Sequence, residues 1–131
     1  MSSLPVEDTL AIQQLYARYN HAIDSGKGDA WAACFTPEGT FSSRSGNFAG
    51  TEQLAAFATG FAQRLKARHW TNNLIIEKSG DGASGTCYLM LLRIGDGETP
   101  TSFFTTGIYR DSLIKQGADW KFTAREVVPD A

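Results

Sequence analysis

Arg68-His69-Trp70-Thr71-Asn72-Asn73-Leu74-Ile75-Ile76-Glu77 is where the chain changes period. Just before it, Leu54, Phe57, Ala58, Phe61 and Leu65 return every three or four positions and form the buried stripe of a helix. From it onward apolar and polar residues alternate, as on strands with one covered face. The stretch also places an imidazole and two amides at the mouth of a strand. Histidine exchanges a proton near neutrality, so His69 at the rim of an apolar cavity is a natural acid or base.

Downstream the alternation continues. A strand over 70–77 turns at Ser79-Gly80-Asp81-Gly82 into a second over 82–94, where Ser84, Thr86, Tyr88 and Met90 oppose Ala83, Cys87, Leu89 and Leu91. The breakers Gly95 to Pro100 lead to a strand over 102–111 with Phe103, Thr105, Gly107 and Tyr109 on one face. In the last strand Trp120 and Phe122 fall on the face opposite Lys121, Thr123 and Arg125, so Arg125 is expected on an exposed face. Lying there, it is a candidate clamp for a polar substrate group.

Upstream, Leu10, Ile12, Leu15, Tyr19, Ala22 and Ile23 mark a helix over 7–25, with His21 opposite the stripe and Asn20 and Asp24 on its flank beside Tyr16. Ser25-Gly26-Lys27-Gly28 ends it, and Asp29 caps a short helix over 30–35. A short strand over 40–43, a polar loop over 44–50 and a Thr51-capped third helix complete the first half. Helices followed by hairpin-linked strands imply α+β, with three helices packed on one face of a curved, mainly antiparallel sheet. Twisted strands cannot lie flat against helices everywhere, so a cavity between the layers is expected.

At 131 residues, with 42% hydrophobic and 20% charged residues, the chain has the size and composition of one folded domain over 1–131. A net charge of −2 and no Lys/Arg run leave no footprint for nucleic acid or an anionic membrane. There is no signal-peptide pattern at the start and no stretch apolar enough to span a membrane, which reads as cytoplasmic. Cys34 and Cys87 sit in apolar contexts without CxxC spacing, as buried thiols do, and one His with one Asp is too few for a zinc site. Neither metal nor organic cofactor is called for.

The order of elements, with Ile12 to Tyr19 leading to Asp24, Asp29-Ala30-Trp31, Phe35 to Phe41, Phe48 to Glu52, Arg68 to Asn73, Gly107 to Asp111 and Trp120-Lys121-Phe122, resembles the nuclear transport factor 2-like (NTF2-like) superfamily and, within it, the SnoaL-like group. The resemblance covers nearly the whole chain. It implies a cone-shaped α+β barrel with a deep apolar pocket, usually in a dimer, to which the aromatics alternating along the last strands also point. Members include polyketide cyclases, ketosteroid isomerase, scytalone dehydratase, bile acid 7α-dehydratase and hexachlorocyclohexane dehydrochlorinase, and also non-catalytic binding and assembly domains.

By position, the resemblance implies that Asp24 and His69 match the Asp and catalytic His of the dehydratase and dehydrochlorinase members. Tyr19 matches a Tyr five residues before the Asp of the bile acid enzyme, and Asn73 an Asn four residues after the His of the dehydrochlorinase. A second His or an Asp that relatives carry on the next strand has no counterpart in 85–92. Tyr16, Phe41, Tyr88, Met90 and Phe103 are expected to line the cone with Asn73 and Arg125. A His–Asp dyad works because the carboxylate fixes the tautomer and leaves the far nitrogen to take a proton. The expected activity is cofactor-independent elimination or isomerisation on a small, mainly apolar cyclic substrate; the alternative is a non-catalytic ligand-binding or dimeric assembly domain.

Overall fold

In a computed structural model that describes residues 3–131, the chain runs α1 (Val6–Asp24), α2 (Gly28–Ala32), β1 (Phe35–Ser43), β2 (Gly46–Ala49), α3 (Thr51–Arg64), β3 (Ala67–Ser79), β4 (Gly82–Arg93), β5 (Ser102–Gln116) and β6 (Asp119–Pro129). The strands form one mixed sheet in the order β2-β1-β6-β5-β4-β3. β3 to β6 are an antiparallel meander, and β1 joins β6 in parallel because α3 and the meander intervene between them in sequence. The sheet curves without closing, and the helices lie on its concave face: the α+β, NTF2-like arrangement expected from the sequence.

α1 buries Ile12, Leu15, Tyr16, Tyr19, Ala22 and Ile23 against the sheet. Leu10, expected in that stripe, is 59% exposed, since it stands about 180° around the helix from Tyr19. Gly26 takes φ +71° and allows the chain to reverse, with the Lys27 N–H bonded to the Ala22 carbonyl. That stop leaves Asp24 as the last helical residue.

Further expectations for the first half change. α2 runs Gly28–Ala32 with Asp29 inside its first turn rather than as its cap, and β1 begins at Phe35, well before the strand expected over 40–43. The 44–50 segment contains β2, which pairs with β1 from Thr40↔Ala49 to Ser43↔Gly46, so the polar loop is a hairpin tip. α3 starts after Gly50 without a side-chain cap, rather than with Thr51 as its cap.

The core is aromatic. Tyr19 and Trp31 lie 5.3 Å apart between ring centroids, Trp31 and Phe35 5.0 Å, and Phe35 and Phe122 5.5 Å, tying α1, α2, β1 and β6 together. No helix of the described residues is long and apolar enough to cross a membrane.

Candidate active site

Asp24 and His69 meet where the end of α1 crosses the start of β3. His69 Nδ1 stands 2.6 Å from Asp24 Oδ1, and the His69 main-chain N–H donates to the same carboxylate at 3.1 and 3.2 Å. An acid in the last turn of a helix opposes the helix dipole by a few tenths of a kcal/mol; here the carboxylate is held by two donors from one residue. Arg68 adds a longer contact, its Nε 3.8 Å from Asp24 Oδ2, from a largely exposed position. Asn20, one turn back on α1, donates to Thr71 Oγ1 at 3.0 Å and ties the helix to the same strand.

His69 stands between two spaces. On one side is a cavity of about 440 Å³, walled by Ile23, Phe41, Phe57, Phe61, Leu89 and Leu91. On the other is a larger, more polar groove of about 640 Å³ between α1 and β3, which Gln13, Asn20, Asp24 and Arg68 line. Asp24 borders only the groove, whereas His69 borders both. With Nδ1 turned to Asp24, Nε2 is the nitrogen left for the cavity. Apolar walls strengthen any charge that develops beside them, and the cavity is the more apolar of the two spaces.

Tyr19 is fully buried and borders the cavity, with Tyr109 5.9 Å away between ring centroids. Burial, the largest influence, pushes its hydroxyl up to about 12, so it keeps its proton near neutrality and acts as a donor. The neighbouring Tyr109 and Arg125 side chains oppose that rise through hydrogen bonding and the guanidinium charge. Phe41 also lines the cavity, and Tyr16 lines the groove instead.

The remaining expected lining residues lie elsewhere, and three β-bulges explain most of the difference. Asn73 and Leu74 together oppose Cys87; Asn73 absorbs the extra residue at φ +57° and turns to solvent, while Leu74 faces the core. Phe104 is the extra residue of β5 opposite Leu91 and Leu92, so Phe104 reaches the cavity mouth and Phe103 is left 62% exposed. Thr123 is the extra residue of β6, and the phase change turns Arg125 inward. Tyr88 and Met90 fail for a simpler reason: they alternate with Cys87, Leu89 and Leu91, which own the concave face, and so lie on the convex one.

Arg125 therefore lines neither the cavity nor the groove. It is 1% exposed and forks onto Asp111, with Nε 2.8 Å from Oδ1 and Nη2 3.0 Å from Oδ2. The Tyr16 hydroxyl donates to Asp111 Oδ2, and Gly85 makes room for it, since a Cβ there would stand 2.2 Å from Tyr16 Oη. The guanidinium sits among aromatic faces, 3.6 Å from the Tyr109 centroid and 4.4 Å from that of Tyr19. Asp111 was absent from the expected site. Its signal was readable, because Tyr109 and Asp111 share one face by simple alternation.

Among the described residues no group of three His, Cys, Asp or Glu side chains is placed to hold a metal ion. Cys34 and Cys87 are free and buried.

A curved sheet over three helices, with an acid–base pair at the wall of an apolar cavity, defines an NTF2-like α+β domain. The chain belongs to the SnoaL-like domain family, whose model matches residues 5–126. Polyketide cyclases and dehydratases are among that family's members. The structure is similar to that of Rv3472, a Mycobacterium tuberculosis protein of unknown function, at 31% identity and TM-score 0.87 over 97% of this chain and 76% of that one. It also resembles a cystatin-like-fold protein of unknown function from Nostoc punctiforme, at 23% identity and TM-score 0.87 over 98% and 96% of the two chains. A third similar structure is a Novosphingobium aromaticivorans protein provisionally named a scytalone dehydratase, at 19% identity and TM-score 0.83 over 96% and 86%. At such identities the last two speak for the fold alone. No curated protein matches the chain in sequence.

Proposed function

We propose that this protein is a lyase or isomerase that moves a proton on a small, mainly apolar cyclic substrate, with His69 as the base and Asp24 as its partner. The observation that carries the reading is the 2.6 Å contact between His69 Nδ1 and Asp24 Oδ1 at the wall of an apolar cavity. In the elimination this geometry supports, Nε2 of neutral His69 takes a proton from the carbon beside a hydroxyl-bearing carbon. The C–H electron pair becomes the new double bond, the C–O bond breaks, and the imidazolium returns its proton to the departing hydroxyl, which leaves as water. Asp24 holds the tautomer and balances the imidazolium charge while it lasts. Tyr19, protonated at the cavity wall, donates to a carbonyl oxygen that gathers charge as the proton leaves. Allylic isomerisation uses the same steps, with the proton returned to carbon.

The test is a panel of cyclic β-hydroxy ketones, followed by the absorbance of the enone product. The native protein should turn over a member of the panel, and His69→Ala should lower that rate by about 10²- to 10⁴-fold while substrate affinity stays within about twofold. Equal rates in the two proteins, or no turnover across the panel, would reject this reading in favour of a non-catalytic binding domain.

A further inference from the structure

The cavity has a second polar end. Ser43, Arg44 and Ser45, on the β1–β2 hairpin, line it together with the apolar wall, and Arg44 is the one permanently charged side chain among its described lining residues. No carboxylate side chain is among them. The hairpin and His69 are joined by a file of rings: His69 to Phe61 is 5.6 Å between centroids, Phe61 to Phe57 6.1 Å, and Phe57 to Phe41 5.1 Å. Phe41 lies in β1, three residues before Arg44. A ligand lying along this file would have its body on aromatic faces, one end at the imidazole and the other beside a guanidinium.

We propose that Arg44 is the specificity-determining residue of this cavity, and that it selects elongated apolar substrates bearing a carboxylate at the end remote from the reacting carbon. This rests on the proposed reading of His69 as the reacting end. Arg44 is exposed at the hairpin tip, on the rim of the cavity, and donates one N–H to the Ala131 main-chain oxygen; a guanidinium carries five such donors, so its fork has capacity for an oxyanion. The described lining residues offer an anion no other cationic side chain with a fixed charge and no acidic side chain, so the Ala131 oxygen is the group with which a ligand oxyanion shares the guanidinium. A neutral ring compound of the same size would gain the aromatic contacts but lose this anchor.

The probes are 2-naphthylacetate and its neutral counterpart 2-naphthylacetamide, matched in shape and differing in charge, titrated by fluorescence against the native protein, Arg44→Gln and His69→Ala. Native protein should bind the acid about fivefold tighter than the amide at low salt, with the gap narrowing as salt is raised. Arg44→Gln should erase the preference and leave amide affinity unchanged, and His69→Ala should keep it. Equal binding of the two probes by the native protein, failure to bind the acid, or a preference lost in His69→Ala but kept in Arg44→Gln would overturn the proposal. None of these readings depends on turnover, so a failed anchor and a failed catalytic dyad give different results.

Discussion

Two of the carboxylates that pair with basic side chains on this fold are used in opposite ways. Asp111 is sealed with Arg125 at 0% side-chain exposure for both partners, with the Tyr16 hydroxyl on the same carboxylate. Asp24 holds His69 at the end of a helix, between a polar groove and an apolar cavity. Neither member of the first pair lines the cavity or the groove. The second has a free ring nitrogen and a cavity. What makes a site here is access, since in both places a carboxylate orients a nitrogen-bearing side chain through hydrogen bonds.

That contrast can be broken first at Asp111. Asp111→Ala leaves a guanidinium buried without its counter-charge and should cost about 3–5 kcal/mol of unfolding free energy by urea denaturation. Asp24→Asn keeps the shape and the acceptor for the His69 N–H, and should cost only about 1 kcal/mol. Comparable losses in the two variants would remove the distinction between a structural and a functional pair. Tyr16→Phe takes one donor from Asp111 but leaves both Arg125 contacts, so a loss of about 1–2 kcal/mol is expected by the same measurement. A smaller effect tests how tightly that region is closed. Burial, its main influence, pushes the Cys87 thiol up to about 11, so the thiolate is scarce below that pH. Labelling of Cys87 by iodoacetamide in the folded protein should therefore stay slow between about pH 7 and about pH 9, where an ordinary cysteine passes through its pKa. Rapid labelling that rises steeply over this interval would show that water reaches the guanidinium side of the sheet.

The parts of the molecule set by local chemistry were legible. The stripe from Ile12 to Ile23, the Gly26 stop and the switch to alternation at His69 each follow from a run of neighbours, and together they bring Asp24 opposite His69. The residues misplaced by reading alternation were displaced by the pairing of strands. A bulge needs one extra residue relative to a partner strand, and nothing in 102–111 or 119–129 alone says that Phe104 and Thr123 would be that residue. One such residue reverses the facing of everything beyond it, which is how an arginine expected at the surface lies at the centre of the core. Asn73 differs in kind: Asn tolerates the left-handed conformation it adopts, so the sequence held a hint of a bulge that strict alternation overrode. The choice of Leu89 and Leu91 over Tyr88 and Met90 for the concave face depended on which row faced α1 and α3, a tertiary matter that period two cannot express.

The central claim is that Asp24 fixes His69 so that its free nitrogen serves the cavity, and it can be measured without any substrate. Long-range ¹⁵N–¹H correlation spectra of the histidine rings at alkaline pH, where the rings are neutral, report which nitrogen of His69 carries the hydrogen. The account predicts the Nδ1–H form, with Nε2 unprotonated, and its loss in Asp24→Ala, which removes the acceptor; a native His69 carrying its hydrogen on Nε2 would contradict it.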